Sequence, residues 1–368
     1  MLKWLVVVAI LAVAAYVVLT NVNIGLILTY LSHKHSANTT GGGGITLSWL
    51  AQESDVLNGT APYPTQKGDT LLAVSYSQIR NASINQSAAN ADLKMLLDAN
   101  VSAVRIDLNY DPWIDNNATQ IGAYDAFINE IRASGKSLVI ADAAGEYYRS
   151  HRLSWSAFKT AWVQRVKTIA ARYHPDYYIV IKEPGWYFAM LNDPLNPPVN
   201  ASDWTNLTEQ LISAVRNVSP NTKIGVSVDA EMRHDVTGLN LNYFLAARNI
   251  SGLDFMGFDI YTASAWNDTA WFLSTYGTGN KQRWIAEAWS TTSVNEQNQS
   301  RSELDAQWIK TLYLFAESEH MQYIFPFFTN DFASYRAPPA NFSALVSFYQ
   351  NRTPAFYAYK NITPINNS

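Results

Sequence analysis

The chain has 368 residues, 48 % of them hydrophobic and 15 % charged, with a net charge of −4 and a pI near 5.9. That is ample apolar material for a large folded core, and it excludes both a disordered chain and a basic nucleic-acid-binding surface. No cysteine is present, which also excludes a disulfide framework, thiolate metal sites and a cysteine nucleophile.

In chain order, Trp4 to Leu31 carry no charged residue, and about twenty apolar residues span a bilayer. Residues 1–32 are therefore expected to form an N-terminal transmembrane helix, the alternative being a signal peptide cleaved near Ala12 to Ala14. Residues 33–44, with His33, His35 and four glycines, read as a flexible tether. The glycines make no phosphate loop, since no strand leads into them and no GK[ST] follows. Sixteen N-x-S/T sequons occur along the chain, against roughly five expected by chance, as glycan acceptors on an external surface would. These features predict a single-pass membrane protein with its body outside the cell, or a secreted one. Dense sequons without cysteine suggest an archaeal-type surface protein.

Residues 45–368 contain no further linker and are expected to form one domain. Strand-like runs fall at Leu71–Tyr76, Ala103–Asn109, Ser137–Asp142, Tyr177–Ile181, Ile224–Val228, Phe255–Tyr261, Arg283–Ala286 and Tyr323–Phe328. Between them, apolar residues recur at helical spacing: Ile121, Tyr124, Ile128 and Ile131; Trp155, Phe158, Trp162, Val166, Ile169 and Tyr173; Trp204, Leu207, Leu211 and Val215; Leu304, Trp308, Leu312 and Phe315. A shorter helix is expected near Tyr243 to Arg248. Eight strands alternating with helices predict an α/β fold, a (β/α)8 TIM barrel. A doubly wound sheet, the alternative, would show a glycine-rich first turn.

Barrel chemistry sits at the C-terminal strand ends. There the chain places Arg105, Asp107 and Asn109, then Asp142, Glu183, Asp229 and Glu231, then Asp259 with Tyr261, and finally Glu287. Glu183 and Glu287 each follow an apolar strand and precede a tryptophan. Two carboxyl groups flanking one bond are what glycoside hydrolysis needs, one protonated and one ionised. Trp113, Trp186, Trp266 and Trp289 fall in expected strand-following loops and offer stacking faces for sugar rings. The six histidines show no HExxH and no ligand spacing, so neither metal nor cofactor is expected.

The segments "AVRIDLNYDPW", "VIKEPGWY", "GFDIYTA" and "RWIAEAWST" together resemble strands two, four, six and seven of the clan of retaining (β/α)8 glycoside hydrolases that includes cellulases, mannanases and galactanases. The resemblance implies Glu183 as acid/base, Glu287 as nucleophile, and Arg105 and Tyr261 as the groups that orient Glu287. It implies a β-linked oligo- or polysaccharide substrate; Lys182, Trp186, Trp289, Trp113, Asp142, Asp229 and Phe327 are the residues expected to contact it. Lys182 stands where the clan keeps an asparagine for a sugar hydroxyl, and it would lower the Glu183 pKa if it pointed the same way. Phe327 or Phe328 stands where the clan often has a strand-eight tryptophan. A non-catalytic carbohydrate-binding or cell-envelope protein on the same scaffold is the alternative. The partners implied are a carbohydrate and, through the N-terminal helix, a membrane; no nucleic acid and no particular protein partner is indicated.

Overall fold

Eight parallel strands close on themselves in chain order, β8 returning to β1. The computed structural model describes residues 45–71, 86–108, 118–142, 153–184, 200–235, 238–288, 301–326, 352 and 354–364. The expected anchor (1–32) and tether (33–44) lie outside these residues. Among those described, no helix is long and apolar enough to cross a membrane.

The strands are β1 Gln66–Thr70, β2 Ala103–Leu108, β3 Ser137–Asp142, β4 Tyr177–Lys182, β5 Lys223–Asp229, β6 Phe255–Ile260, β7 Gln282–Ala288 and β8 Met321–Pro326. The helices are α1 Leu47–Leu57, α2 Gln86–Asp98, α3 Ala118–Ala133, α4 Trp155–Tyr173, α5 Ala201–Val218, α6 Leu239–Ala247, α7 Ala263–Thr275, α8 Arg301–Ser318 and α9 Pro354–Asn361. The periodic apolar residues form the buried faces of α4 (Phe158, Trp162, Val166, Ile169) and α5 (Trp204, Leu207, Leu211, Val215). Caps set where these helices begin: Ser154 accepts a bond from Ala157 N, and Asn200 forms a capping box with Asp203. Trp266, expected in a loop, is instead core within α7, packed on Trp308 and Phe315.

Inside the barrel, an apolar plug built on Val139, Ile179, Phe255, Trp284, Tyr323 and Phe325 fills the lumen. Phe255 and Trp284 stack with centroids 4.0 Å apart, and Trp284 and Phe325 at 5.4 Å. Gly225 makes room for this plug, because a Cβ there would land inside the Phe255 ring. Side chains alternate across a strand, so Arg105 and Asp107 face the lumen along with Ala103, one layer further toward the C-terminal mouth.

Two register shifts then decide what reaches the mouth. Between β4 and β5, Ile179 pairs with Gly225 but Ile181 with Val226, so Val180 is an extra residue. The parity flips there, and Lys182 joins Ser227 on the lumen row. Between β6 and β7, Phe258 pairs with Ile285 but Asp259 with Glu287. Ala286 is the extra residue, and Glu287 joins the row of Asp259.

The first strand departs from expectation. It is Gln66–Thr70, with polar composition, and not the apolar run beginning at Leu71; residues 72–76 lie outside the described set. Lys67, only 1 % exposed, is tolerated because its ammonium donates to the carbonyls of Ala99 (3.0 Å), Tyr359 (3.0 Å), Lys360 (3.3 Å) and Ile362 (2.9 Å). The end of α9 is thereby tied to β1, and the Tyr359 hydroxyl adds a bond to Gly68 O at 2.7 Å. The last strand is also shifted, to Met321–Pro326, and Phe327 and Phe328 lie outside the described residues.

Candidate active site

At the C-terminal mouth, β2 supplies the first two charges. Arg105, fully buried, grips Asp107 with two bonds, Nε to Oδ1 at 2.5 Å and Nη2 to Oδ2 at 2.8 Å. Its Nη1 donates to Ala286 O at 2.6 Å, which fixes the guanidinium against the β7 bulge, and Nη2 also donates to Glu287 Oε1. Lys182 Nζ reaches Asp107 Oδ2 at 2.9 Å and Glu287 Oε1 at 2.5 Å. The four side chains thus close a ring of alternating charge, Glu287–Arg105–Asp107–Lys182. Tyr261, just past β6, donates its hydroxyl to Glu287 Oε2. Both oxygens of Glu287 are therefore held.

Burial works against the charges of Arg105, Lys182 and Asp107, and their partners overcome it. Asp107 and Glu287 hold the Arg105 and Lys182 pKa values above their usual range. Arg105 and Lys182 in turn hold the Asp107 carboxyl below its usual range. Burial, then the charge of Glu287, pushes the Tyr261 phenol well up, so it stays a hydrogen-bond donor.

Glu183 lies outside the ring. Its backbone is in the left-handed region at φ 48°, and its N–H donates to Ser227 O at 2.9 Å. A non-glycine residue in such a conformation stores about 1–3 kcal/mol of strain, a feature that clusters at functional sites. One carboxylate oxygen each from Glu183, Asp259 and Glu287 lies within 4.8 Å of the others. Burial pushes the Glu183 carboxyl up to about 8, the Glu287 charge adds to this, and Lys182 opposes it. The lysine thus does not spoil the acid, since its ammonium is directed at Asp107 and Glu287. Asp259 is fully buried, accepts a bond from Ser227 Oγ at 3.0 Å on Oδ2, and is pushed well up by burial and by its two acidic neighbours.

Three clustered carboxylates suggest a cation site, the one such trio among the described residues. Glu287, however, already carries two protein cations on one oxygen. The negative charge of Glu287 is balanced from within the chain, and the donor set does not fit a divalent ion as it fits Arg105 and Lys182.

Of the residues expected at the site, Glu183, Glu287, Arg105, Tyr261 and Lys182 come together, with Asp229 at the adjacent rim. Asp229 is half-buried and paired in register with Asp259, and it accepts the Glu231 N–H at 3.1 Å. Asp142 does not belong to the site. It follows Ala141, a lumen residue, and so faces the helical ring, where Arg165 (Nη2 to Oδ1, 2.6 Å) and the Tyr178 hydroxyl (2.5 Å) take up its carboxylate. Trp113, Trp186, Trp289 and Phe327 lie outside the described residues. Asp107 and Asp259, which the sequence places at strand ends without a role, also lie in this cluster. The signal for both was their two-residue spacing from Arg105 and Tyr261.

Fold and site together define a (β/α)8 barrel with a charge-balanced, carboxylate-rich mouth. The sequence matches no family model and no curated protein. Among solved structures, the fold is similar to fungal β-1,4-galactanases (14 % identity, TM-score 0.57, 82 % of this chain and 100 % of that one). It is also similar to a glucosidase from Croceicoccus marinus (11 %, 0.55, 82 % and 68 %) and to a GH10 endoxylanase from a sugarcane soil metagenome (10 %, 0.53, 81 % and 97 %). At such identities the likeness establishes the fold, the barrel that these glycoside hydrolases share.

Proposed function

We propose that the chain is a retaining glycoside hydrolase acting on β-linked oligo- or polysaccharides, with Glu183 as acid/base and Glu287 as nucleophile. The observation that carries this reading is the unequal pair: two carboxyl groups with oxygens within 4.8 Å, one pushed up to about 8 and the other held by Arg105, Lys182 and Tyr261. Retention calls for carboxyl groups roughly 5–5.5 Å apart, whereas inversion needs room for a water between them. In the first step Glu287 attacks the anomeric carbon while Glu183 gives its proton to the departing oxygen, breaking the glycosidic bond. Esterification removes the Glu287 charge, the second-largest influence holding the Glu183 carboxyl up. Glu183 then takes a proton from water, whose oxygen attacks the anomeric carbon and releases Glu287. Sugar stacking is assigned to Trp113, Trp186, Trp289 and Phe327, and a hydroxyl contact to Asp229.

A panel of β-linked glycans including galactan and xylan, digested by the unaltered chain beside Glu183→Gln and Glu287→Gln, tests this. The first product should keep the β configuration by NMR. Glu183→Gln should lose roughly 10²–10⁴-fold in kcat on poor leaving groups. Equal turnover by Glu287→Gln and the unaltered chain would remove the nucleophile assignment. The bond from Lys182 to Glu287 favours a second reading, a carbohydrate-binding barrel whose nucleophile is quenched; binding to glycans without turnover would support it.

The reading places the barrel outside the cell behind an N-terminal anchor. Of the eight sequon asparagines among the described residues, seven are exposed (Asn58, Asn100, Asn200, Asn206, Asn217, Asn249 and Asn361) and Asn267 is half-buried, which supports a glycan-bearing surface. Intact-mass analysis of the native protein, before and after chemical deglycosylation, tests it; an unmodified mass would sink it.

A further inference from the structure

Asp259 is the carboxylate for which the mechanism above has no use. It projects from β6 into the lumen between Asp229 on β5 and Glu287 on β7, with which it is paired in register. It is 0 % exposed, Oδ2 accepts the Ser227 hydroxyl, and Oδ1 is buried without a hydrogen-bond partner. A buried carboxylate with one hydrogen bond is costly unless a cation compensates it. The groups that act on it or adjoin it are Glu287 from β7, Glu183 just past β4, Arg105 from β2, Lys182 from β4, Ser227 and Asp229 from β5, and Tyr261 beyond β6. The two cations, Arg105 and Lys182, are matched by the two carboxylates they bond, Asp107 and Glu287. A third negative charge at Asp259 would be unbalanced.

We propose that Asp259 is a positioning residue that works as an un-ionised acid, presenting an O–H on Oδ1 to Glu183 when that carboxyl is negatively charged during turnover. The role rests on the glycosidase reading; the protonation does not. With Oδ2 accepting from Ser227, the proton belongs on Oδ1, the atom that lacks a partner. When Glu183 has given its proton to the leaving group, its carboxylate has one oxygen within 4.8 Å of an Asp259 oxygen, and a neutral donor there stabilises it. Asp259 keeps its proton throughout, so the step is hydrogen bonding and not proton transfer. Burial, with Glu287 and Glu183 nearby, outweighs Arg105 and Lys182 and favours the same neutral state.

Two measurements test this. The first is carbon-13 NMR titration of the aspartate carboxyl groups in the unaltered full chain, without substrate. One resonance, absent from Asp259→Asn, should remain that of a protonated acid from about pH 5 to pH 8, above the ordinary aspartate range. If every aspartate resonance is ionised at pH 6, the proposal is overturned, whatever the enzyme hydrolyses. The second is the pH profile of kcat/KM on whichever glycan is turned over. Asp259→Asn, a neutral donor, should leave the basic limb in place, whereas Asp259→Leu should fall at least tenfold below Asp259→Asn in kcat. A basic limb moved to lower pH by Asp259→Asn would mean that a negative charge had been removed beside Glu183, and would also overturn the proposal. A protonated Asp259 in a chain that hydrolyses no glycan would instead count against the glycosidase reading.

Discussion

A lysine next to a general acid favours the ionised carboxylate when its ammonium turns toward that acid. Lys182 turns toward Asp107 and Glu287 instead, and the Val180 bulge in β4 is what aims it there. Its charge still acts on Glu183 from a distance, as the third influence on that group and the first that lowers it. Lys182→Asn should therefore move the basic limb of kcat/KM to higher pH, on the order of one pH unit. A shift to lower pH would show that Lys182 does not act on Glu183 through charge. If Lys182 instead quenches the nucleophile, the same variant should gain turnover from a silent parent. At this scale the sequence was informative wherever simple alternation held. Arg105 with Asp107, and Asp259 with Tyr261, share a face at two-residue spacing. It misled at Asp142, which has the composition of a strand-end acid but the parity of Leu138 and Ile140. The direction of Lys182 was not legible, because a bulge reverses parity and leaves no mark in "YYIVIK".

Elements carry the site through their irregularities. β4 and β7 each gain one residue against the preceding or following strand, and these are the strands that bear Glu183 and Glu287. Beneath them the plug demands close packing, which Gly225 permits. Gly225→Ala would drive a methyl group into the Phe255 ring, so it should destabilise the chain by about 1–3 kcal/mol, as overpacked cores do. Urea unfolding measures this, and an unchanged midpoint would contradict the packing argument. β1 teaches a different lesson. Seven of the eight strands were legible as β-branched or aromatic runs, but "QKGDT" has only Thr70 of that character. It forms a strand because Lys67 finds four backbone carbonyls, three of them at the end of α9, nearly 300 residues away. No local pattern could report a partner so distant. Lys67→Met should leave those carbonyls without their donor and cost about 3 kcal/mol or more, given roughly 1.5–3 for each bond to a charged group and partial rescue by water. Hydrogen exchange should show the loss concentrated in α9 and β1. Uniform loosening of all strands would argue against a specific tie.

For the molecule as a whole, these buried acids make stability depend on pH in two opposing ways. Burial pushes the Glu183 carboxyl up to about 8, and lifts Glu53 and Glu319 to about 7. Between the ordinary carboxylate value and these raised ones, the folded state binds more protons than the unfolded state, so stability falls as pH rises. Asp259 and Asp229, also raised, add to that slope. Asp107 acts in the other direction. Arg105 and Lys182 hold it below its usual range, so its contribution is present above the unfolded aspartate value and is lost as pH falls through the folded one. The two trends meet on the acid side of neutrality. The melting temperature should peak at about pH 4–5 and decline steadily toward pH 8, with ordinary carboxylates titrating near 4 as the reference. Activity on the basic side is bounded by one of the same groups, since Glu183 must hold its proton. Glu183→Gln removes the largest assigned contribution to the falling limb, so its melting temperature should decline less between pH 5 and pH 8 than that of the unaltered chain. A parallel decline in both proteins would mean that Glu183 is not a protonated acid at neutral pH, and the role of general acid would pass from it.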